Sequence, residues 1–243
     1  IDIDNMELLS GASSALYGSG GMNGTLLLTS KNPFKYQGLS FLVKEGAMHL
    51  GDDQQDMSSY HNVTVRWAKK VNDRFAFKLN AEYITAKDWL GSDYRDYARL
   101  ATGGNVKAGT RATDPNYDGI NVYGDETTTD IRNIIRAVPW LANFPVPNDP
   151  IYVSRTGYQE NQIANPNTIN FKLGGSLHYK ISDKTEAILA GYWGTGNTIY
   201  TGSERYYLEN FKMGQYKLEL NNKDWTLRAF TTQENSEIGR AHV

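Results

Sequence analysis

The sequence predicts an all-β chain: an antiparallel sheet of about seven long strands, of the kind that walls a transmembrane β-barrel. Three observations carry this reading. Apolar and polar residues alternate over unusually long runs, the links between runs are short and long by turns, and aromatics are plentiful although no long apolar run exists. Residues 169–181 are clearest. Ile169, Phe171, Leu173, Leu177, Tyr179 and Ile181 share one face with Gly175, while Asn170, Lys172, Ser176, His178 and Lys180 share the other with Gly174. Strands of globular sheets average roughly 5–6 residues, whereas a tilted membrane-crossing strand takes about 9–11.

The same period of two recurs along the chain. Phe75, Phe77, Leu79, Ala81 and Tyr83 oppose Ala76, Lys78, Asn80 and Glu82; Val63, Val65 and Trp67 oppose Asn62, Thr64 and Arg66; Tyr216, Leu218 and Leu220 oppose Gln215, Lys217 and Glu219. Strands are therefore expected over 39–50, 60–70, 75–88, 168–181, 185–200, 212–220 and 225–234, the first and fifth alternating poorly. Tight polar turns fall at Asn72-Asp73, Ser182-Asp183-Lys184 and Asn221–Asp224. Longer links fall near Asp52–Ser59, Gly91–Pro166 and Gly202–Asn210. Outer-membrane barrels put their short turns on the periplasmic rim and their long loops outside. Trp67, Trp89, Trp193, Tyr83, Tyr192 and Tyr200 fall towards strand ends, as an interfacial girdle requires. The alternative is a soluble β-sandwich, which calls for shorter strands and a turn signal every 8–12 residues or so.

Composition narrows the function classes. The 243 residues suit one large domain or two ordinary ones, and 25 Lys+Arg against 27 Asp+Glu leave a net charge of −2. That balance gives no basic footprint for nucleic acid. The absence of cysteine excludes a disulfide scaffold, a thiolate metal site and a cysteine nucleophile. Mean hydropathy is −0.55, and no run of about 18 apolar residues marks a transmembrane helix. A barrel stays open, because alternating strands average to a polar value. The ends read as cut: Ile1 opens the chain with no targeting segment, and 238–243 read as a translated sequencing adapter.

Residues 6–29 read Met-Glu-Leu-Leu-Ser-Gly-Ala-Ser-Ser-Ala-Leu-Tyr-Gly-Ser-Gly-Gly-Met-Asn-Gly-Thr-Leu-Leu-Leu-Thr. This stretch resembles the end of the plug domain of TonB-dependent outer-membrane receptors, whose pattern runs roughly I-E-V-L-x-G-P-x-S-x-L-Y-G-x-x-A-x-G-G-V-I-N-I before the first barrel strand. Glu7, Leu9, Gly11, Ser14, Leu16, Tyr17, Gly18 and Gly24 fall on matching positions. Ser10, Ala12, Gly21, Asn23 and Leu27 depart from it. A phosphate-cradling loop is disfavoured, since no Lys-Ser/Thr follows Gly24 and Rossmann spacing is absent.

The resemblance implies that residues 1–32 end a plug domain, with Thr25–Thr29 a buried plug strand. Residues 33–237 then form the N-terminal part of a barrel, with a long extracellular loop at about 91–166. Barrels of this kind close with about 22 strands around a plugged lumen, so the chain is expected to be a fragment. The implied function is receptor and importer in the cell outer membrane. Its partners are outer-membrane lipid, an extracellular substrate, and TonB through a segment outside this chain. Arg66, Lys78, Glu82, Lys172 and His178 would face the lumen, bonding the plug or simply solvating the wall. No hydrolase or dehydrogenase constellation is evident, and no enzymatic role is expected. Two other readings stay open: a non-transporting barrel or adhesin, and a soluble β-sandwich carbohydrate-binding module.

One loop motif points to a cation. Asp114, Asn116 and Asp118 with Gly119, the Ile120 carbonyl and Asp125 fit positions 1, 3, 5, 6, 7 and 12 of a calcium loop. Asp125 is shorter than the usual Glu, and Val122 lacks an oxygen at position 9, so a turn-rich polar loop is the alternative. His49, His61 and His178 show no metal-ligand spacing. Farther on, Ile131, Ile134, Ile135 and Val138 follow helical spacing until Pro139, which predicts a short helix packed over the barrel mouth or acting as a lid.

Overall fold

Alternation along the chain becomes one seven-stranded antiparallel sheet. The computed structural model describes residues 1–11, 23–48, 56–98, 105–201 and 205–239. Its main strands are β3 (Gly38–Met48), β4 (Ser58–Lys70), β5 (Phe75–Lys87), β12 (Asn167–Ser182), β13 (Thr185–Thr201), β14 (Arg205–Asn222) and β15 (Thr226–Gly239). They pair in the order β15-β14-β13-β12-β5-β4-β3, a meander in which every neighbour is the next of the seven along the chain. Edges β3 and β15 do not pair with each other, so the described sheet is open.

All tight turns lie at one rim: 71–74, 183–184 and 223–225. The link from β5 to β12 leaves from the other rim, as do those from β3 to β4 and β13 to β14. At β4's 13 residues, about 3.3 Å of rise per residue gives roughly 43 Å. Tilted about 40°, such a strand crosses about 33 Å, close to the ~30 Å hydrocarbon core of a bilayer.

Two strands precede the sheet. β1 (Ile3–Ser10) and β2 (Gly24–Ser30) pair antiparallel with each other and, among the described residues, with no other strand. Gly11, φ 85, and Gly24, φ 156, flank the link between them and take angles that side-chain-bearing residues rarely adopt. The expected burial of Thr25–Thr29 is not met: Leu26 and Leu28 are each more than half exposed, because no described residue covers that face. Of the residues that carry the resemblance, Glu7 lies in β1 opposite Leu27, and Gly24 pairs with Ser10. Leu16, Tyr17 and Gly18 lie outside the described residues.

Three further expectations change. The link near Gly202–Asn210 is mostly strand: β14 starts at Arg205, and Thr201 pairs with Arg205. Asn210, at φ 50, bulges the strand and shifts its register between Glu209 and Lys212, which breaks the alternation and makes the segment read as a loop. Tyr192 and Trp193 are not at a strand end but in the middle of β13, where Trp193 pairs with Leu173. Ile238 and Gly239, within the adapter-like stretch, continue β15 opposite Leu208 and Tyr207.

The long connection has a small fold of its own. Its short strands are β6 (Asp96–Tyr97), β7 (Val106–Lys107), β8 (Val122–Tyr123), β9 (Thr128–Asp130), β10 (Tyr152–Ser154) and β11 (Tyr158–Gln159). Helix α1 (Ile131–Ala137) is followed by a 3₁₀ turn (Pro139–Leu141), and α2 (Glu160–Ile163) precedes β12. Asp130 caps α1 by accepting from the Arg132 backbone N–H at 3.1 Å. The helix is where its spacing predicts, but none of its residues is buried and Trp140 is 84% exposed. Its apolar stripe is half-buried at Ile131, Ile135 and Val138 and exposed at Ile134.

Candidate functional site

Most strands of the sheet sort their side chains onto two unlike faces, β4, β5 and β12 most cleanly. One face carries Leu39, Phe41, Val65, Trp67, Leu79, Tyr83, Leu173, Leu177, Leu189, Tyr216 and Leu218, all exposed. Register makes these a continuous surface: Phe41 pairs with Val65, Val65 with Ala81, Ala81 with Leu173, Leu173 with Trp193. Trp67, Tyr179 and Trp225 lie towards the short-turn rim, with Tyr83 and Trp89 towards the other. This apolar surface runs across six neighbouring strands, β3 to β14, and is large for a surface open to water.

The opposite face is polar and holds buried charge. Arg66, Lys78, His178 and Glu219 are each less than a tenth exposed. Glu219 accepts from Arg228 Nε at 2.6 Å and faces Lys217 Nζ at 3.1 Å. Glu82 meets Lys172 Nζ at 3.1 Å and accepts from Asn62 Nδ2 at 3.2 Å.

The chain's N-terminal segment docks on this face at one carboxylate. Asp2 Oδ1 accepts from Arg66 Nε at 2.7 Å, and Asp2 Oδ2 from Lys78 Nζ at 2.6 Å and Asn80 Nδ2 at 3.3 Å. The same two cations hold the strand's exit: Arg66 donates to Tyr36 O at 3.0 Å and Lys78 to Lys31 O at 2.9 Å. Pro33 is fully buried, and Lys180 Nζ sits 4.5 Å from the centre of the Phe34 ring. Of the five polar-face residues singled out in the sequence, Arg66 and Lys78 thus bond the N-terminal segment, while Glu82 and Lys172 pair with each other across the sheet. Asp2 itself gave no sequence signal.

Beside this contact lies a cavity of about 530 Å³, lined among others by Asp2, Asn80, Asn170, Lys172, Tyr192 and Gln215. Asn80 Oδ1 and Asn170 Oδ1 are both buried there without a hydrogen-bond partner. A second cavity of about 390 Å³ sits in the long connection, with Tyr94, Arg111, Tyr117 and Gln162 in its wall.

Ser176, His178 and Glu186 form a chain that the sequence did not suggest. Ser176 Oγ lies 2.9 Å from His178 Nε2, and His178 Nδ1 lies 2.6 Å from Glu186 Oε1. Ser176-x-His178 on one strand face, with an acid across the hairpin, was the only available signal. Neither cavity reaches Ser176.

The calcium-loop residues do not close around a common centre. Asp114 Oδ2 accepts from Lys107 Nζ at 2.6 Å, and its Oδ1 accepts from the Asn116 N–H at 2.7 Å. Lys107 holds the Asp114 carboxyl below its usual range. Asp118 takes its backbone N–H to Asp96 Oδ1 at 3.1 Å, and Asp125 Oδ2 accepts from Gly119 N–H at 2.9 Å. Among the described residues, no three His, Asp or Glu side chains converge as metal ligands. Lys107 supplies the positive charge that the spacing had assigned to calcium, and Ile120, whose N–H bonds Arg95 O, is a turn residue. The motif does not fit the ion.

Asp125 is still unusual. It is fully buried, its Oδ1 has no hydrogen-bond partner, and burial pushes its carboxyl up to about 6, with the Asp118 and Glu126 charges adding. Arg132 draws Asp130 the other way, down to about 2.

No protein-family model matches the chain, and no curated protein matches its sequence.

Proposed function

We propose that this chain is the end of a plug and the first seven wall strands of an outer-membrane receptor. The receptor captures a solute at the cell surface and imports it with energy delivered through TonB. The observation that carries the reading is the sheet's continuous apolar face, backed by a polar face on which the N-terminal segment is held. Water opposes exposing the first face across six strands, whereas hydrocarbon favours it. The second face suits a wet lumen. Short turns gathered at the rim where Lys31–Tyr36 enters, with an independently folded connection at the other, match the periplasmic and outer ends of such a barrel.

A plug inside a wide wall blocks passive flow. Import then needs a site open to the outside and work done on the N-terminal segment. Asp2, Arg66 and Lys78 form the contact on which that work would act.

The test uses the complete protein expressed in a Gram-negative host. Fractionation is expected to place it in the outer membrane, migrating faster on gels before boiling than after. Photo-crosslinkers placed upstream of the plug are expected to capture TonB. Recovery in the soluble periplasm would sink the reading. Outer-membrane insertion without TonB capture would leave a barrel that does not transport.

A further inference from the structure

We infer that the short-turn rim of the sheet docks on the phosphate headgroups of an anionic phospholipid leaflet, with Lys69, Arg74, Lys184 and Lys223 as the charges that meet it. The inference deepens the membrane reading above and rests on it.

Charge is divided unevenly between the two rims. Residues 31–36, 69–74, 180–184 and 222–225, which make up the short-turn rim, carry eight Lys and Arg against three Asp. The strand ends at the other rim, 44–48, 58–61, 85–88, 167–170, 197–201, 205–212 and 232–239, carry four Lys and Arg against five Asp and Glu. The whole chain is close to neutral, at −2, so the excess at one rim is local. Lys70 is taken up by Asp73 at 2.5 Å, and Lys180 lies over the Phe34 ring. Lys69, Arg74, Lys184 and Lys223 are exposed and make no ion pair among the described residues.

Depth decides what those charges meet. Lys69 follows Val63, Val65 and Trp67 at the same period, and it stands opposite Phe77, whose ring meets Trp67 edge-on at 5.0 Å. It is thus one step beyond the aromatic end of the apolar band. Two residues of strand give about 7 Å of rise, or about 5 Å of depth at a tilt near 40°. The headgroup layer on each side of a bilayer is about 5–7 Å thick. Lys184 lies three residues past Ile181, and Lys223 two residues before Trp225, both apolar residues being about half exposed. A lysine at that depth lays its stem on the apolar face and its ammonium among the headgroups.

A leaflet fits these features better than an acidic soluble protein. The four unpaired cations are spread from β4 to β15 along the border of the apolar face rather than gathered in one patch. A leaflet presents phosphate along that whole border, and a negative surface potential draws Lys and Arg to it. Zwitterionic lipid balances each phosphate with its own cation, so an uncompensated rim selects the anionic headgroup.

The experiment reconstitutes the complete protein into bilayers of equal parts phosphatidylglycerol and phosphatidylcholine. The protein is then extracted in mild detergent, and the lipid it retains is measured by mass spectrometry. Wild type is expected to retain phosphatidylglycerol over phosphatidylcholine by about threefold or more. The preference is expected to vanish in about 1 M NaCl, where the Debye length falls to about 3 Å. It is expected to vanish as well in Lys69→Gln/Arg74→Gln/Lys184→Gln/Lys223→Gln. Lys44→Gln/Lys87→Gln, at the other rim, is expected to keep it. Should the fourfold variant fail to fold, Lys69→Gln alone still must lower the preference. Equal retention of the two lipids by wild type overturns the proposal, as does a preference unchanged by the rim substitutions. Loss of the preference in Lys44→Gln/Lys87→Gln overturns the assignment to this rim. Protein that enters neither lipid overturns the membrane reading itself, and this is seen before any lipid is counted.

Discussion

Lys172 and Leu173 are consecutive in the chain and belong to opposite environments. Lys172 Nζ lies 3.1 Å from Glu82 Oε2 on the polar face, while Leu173 is 47% exposed on the apolar face, opposite Ala81 and Trp193. If the apolar face meets lipid, a charge at Leu173 must be carried into hydrocarbon. Leu173→Arg is expected to destabilise the folded barrel by about 2–4 kcal/mol near the bilayer midplane. Lys172→Arg keeps its charge and its Glu82 partner and is expected to change stability by less than about 0.5 kcal/mol. Urea or guanidinium titration in liposomes reads both, and equal tolerance would falsify the lipid-facing assignment.

The meander also fixes which residues share a rim of the sheet and so, on the proposed reading, a side of the membrane. Asp73, Asp183 and Lys223 sit in the three tight turns, and Asp149 in the long connection; all are exposed. These residues hold no cysteine, so single Cys substitutions in them are labelled against the unsubstituted complete protein as background. On intact cells a membrane-impermeant maleimide is expected to label Asp149→Cys alone. The other three are expected to react only after permeabilisation. Labelling of Asp183→Cys and Asp149→Cys from the same side would contradict the up-and-down arrangement.

The wall was legible because a strand's two-residue period is written locally, residue by residue. Ile169–Ile181 and Phe75–Tyr83 announce both strand and face before any partner is known. Ile3–Ser10 announces little, for Ile, Asp, Asn and Glu mix on it and its pairing comes from β2. The stretch 205–211 misleads because the bulge at Asn210 resets the phase. Contacts between distant residues are silent in sequence. Nothing near Asp2 points to Arg66 or Lys78. Nothing in 114–125 reveals that Lys107 from β7 and Asp96 from β6 take up Asp114 and the Asp118 N–H. The spacing resembled a calcium loop because turn-rich Asp/Asn segments share its vocabulary.

Asp125 gives the long connection a pH dependence. Burial pushes its carboxyl up to about 6, well above the usual aspartate value, so the folded state holds the proton more tightly. Stabilisation from that proton is complete below about pH 4 and is lost as pH rises through about 6. A shift of this size corresponds to at most about 3 kcal/mol. Asp125→Asn keeps an acceptor for the Gly119 N–H and removes the charge facing Asp118 and Glu126. Hydrogen exchange over residues 117–125 is expected to accelerate between pH 4 and 7 in wild type, after correction for intrinsic rates, and to show no such step in Asp125→Asn. A wild-type profile without the step would show that the carboxyl is ionised without cost.

The Ser176–His178–Glu186 chain has two of the three things a serine nucleophile needs, a base in reach at 2.9 Å and an acid orienting that base at 2.6 Å. It lacks the third. A reacting carbonyl must reach Oγ and find free N–H donors for its oxyanion. Ser176 is 4% exposed, and it sits inside the sheet with Lys78 on one neighbouring strand and Ala190 on the other. Backbone N–H groups of an interior strand are consumed by both ladders, so none is left to stabilise developing charge. The chain is therefore expected to brace the wall. A fluorophosphonate probe is expected to leave Ser176 unmodified in the folded protein. His178→Ala leaves Ser176 and Glu186 without their shared partner and is expected to cost about 1–3 kcal/mol in refolding. Ser176→Ala, which removes one hydroxyl, is expected to cost about 1 kcal/mol. A covalent adduct at Ser176, located by mass spectrometry and lost in His178→Ala, would make the site a catalyst and overturn the structural role.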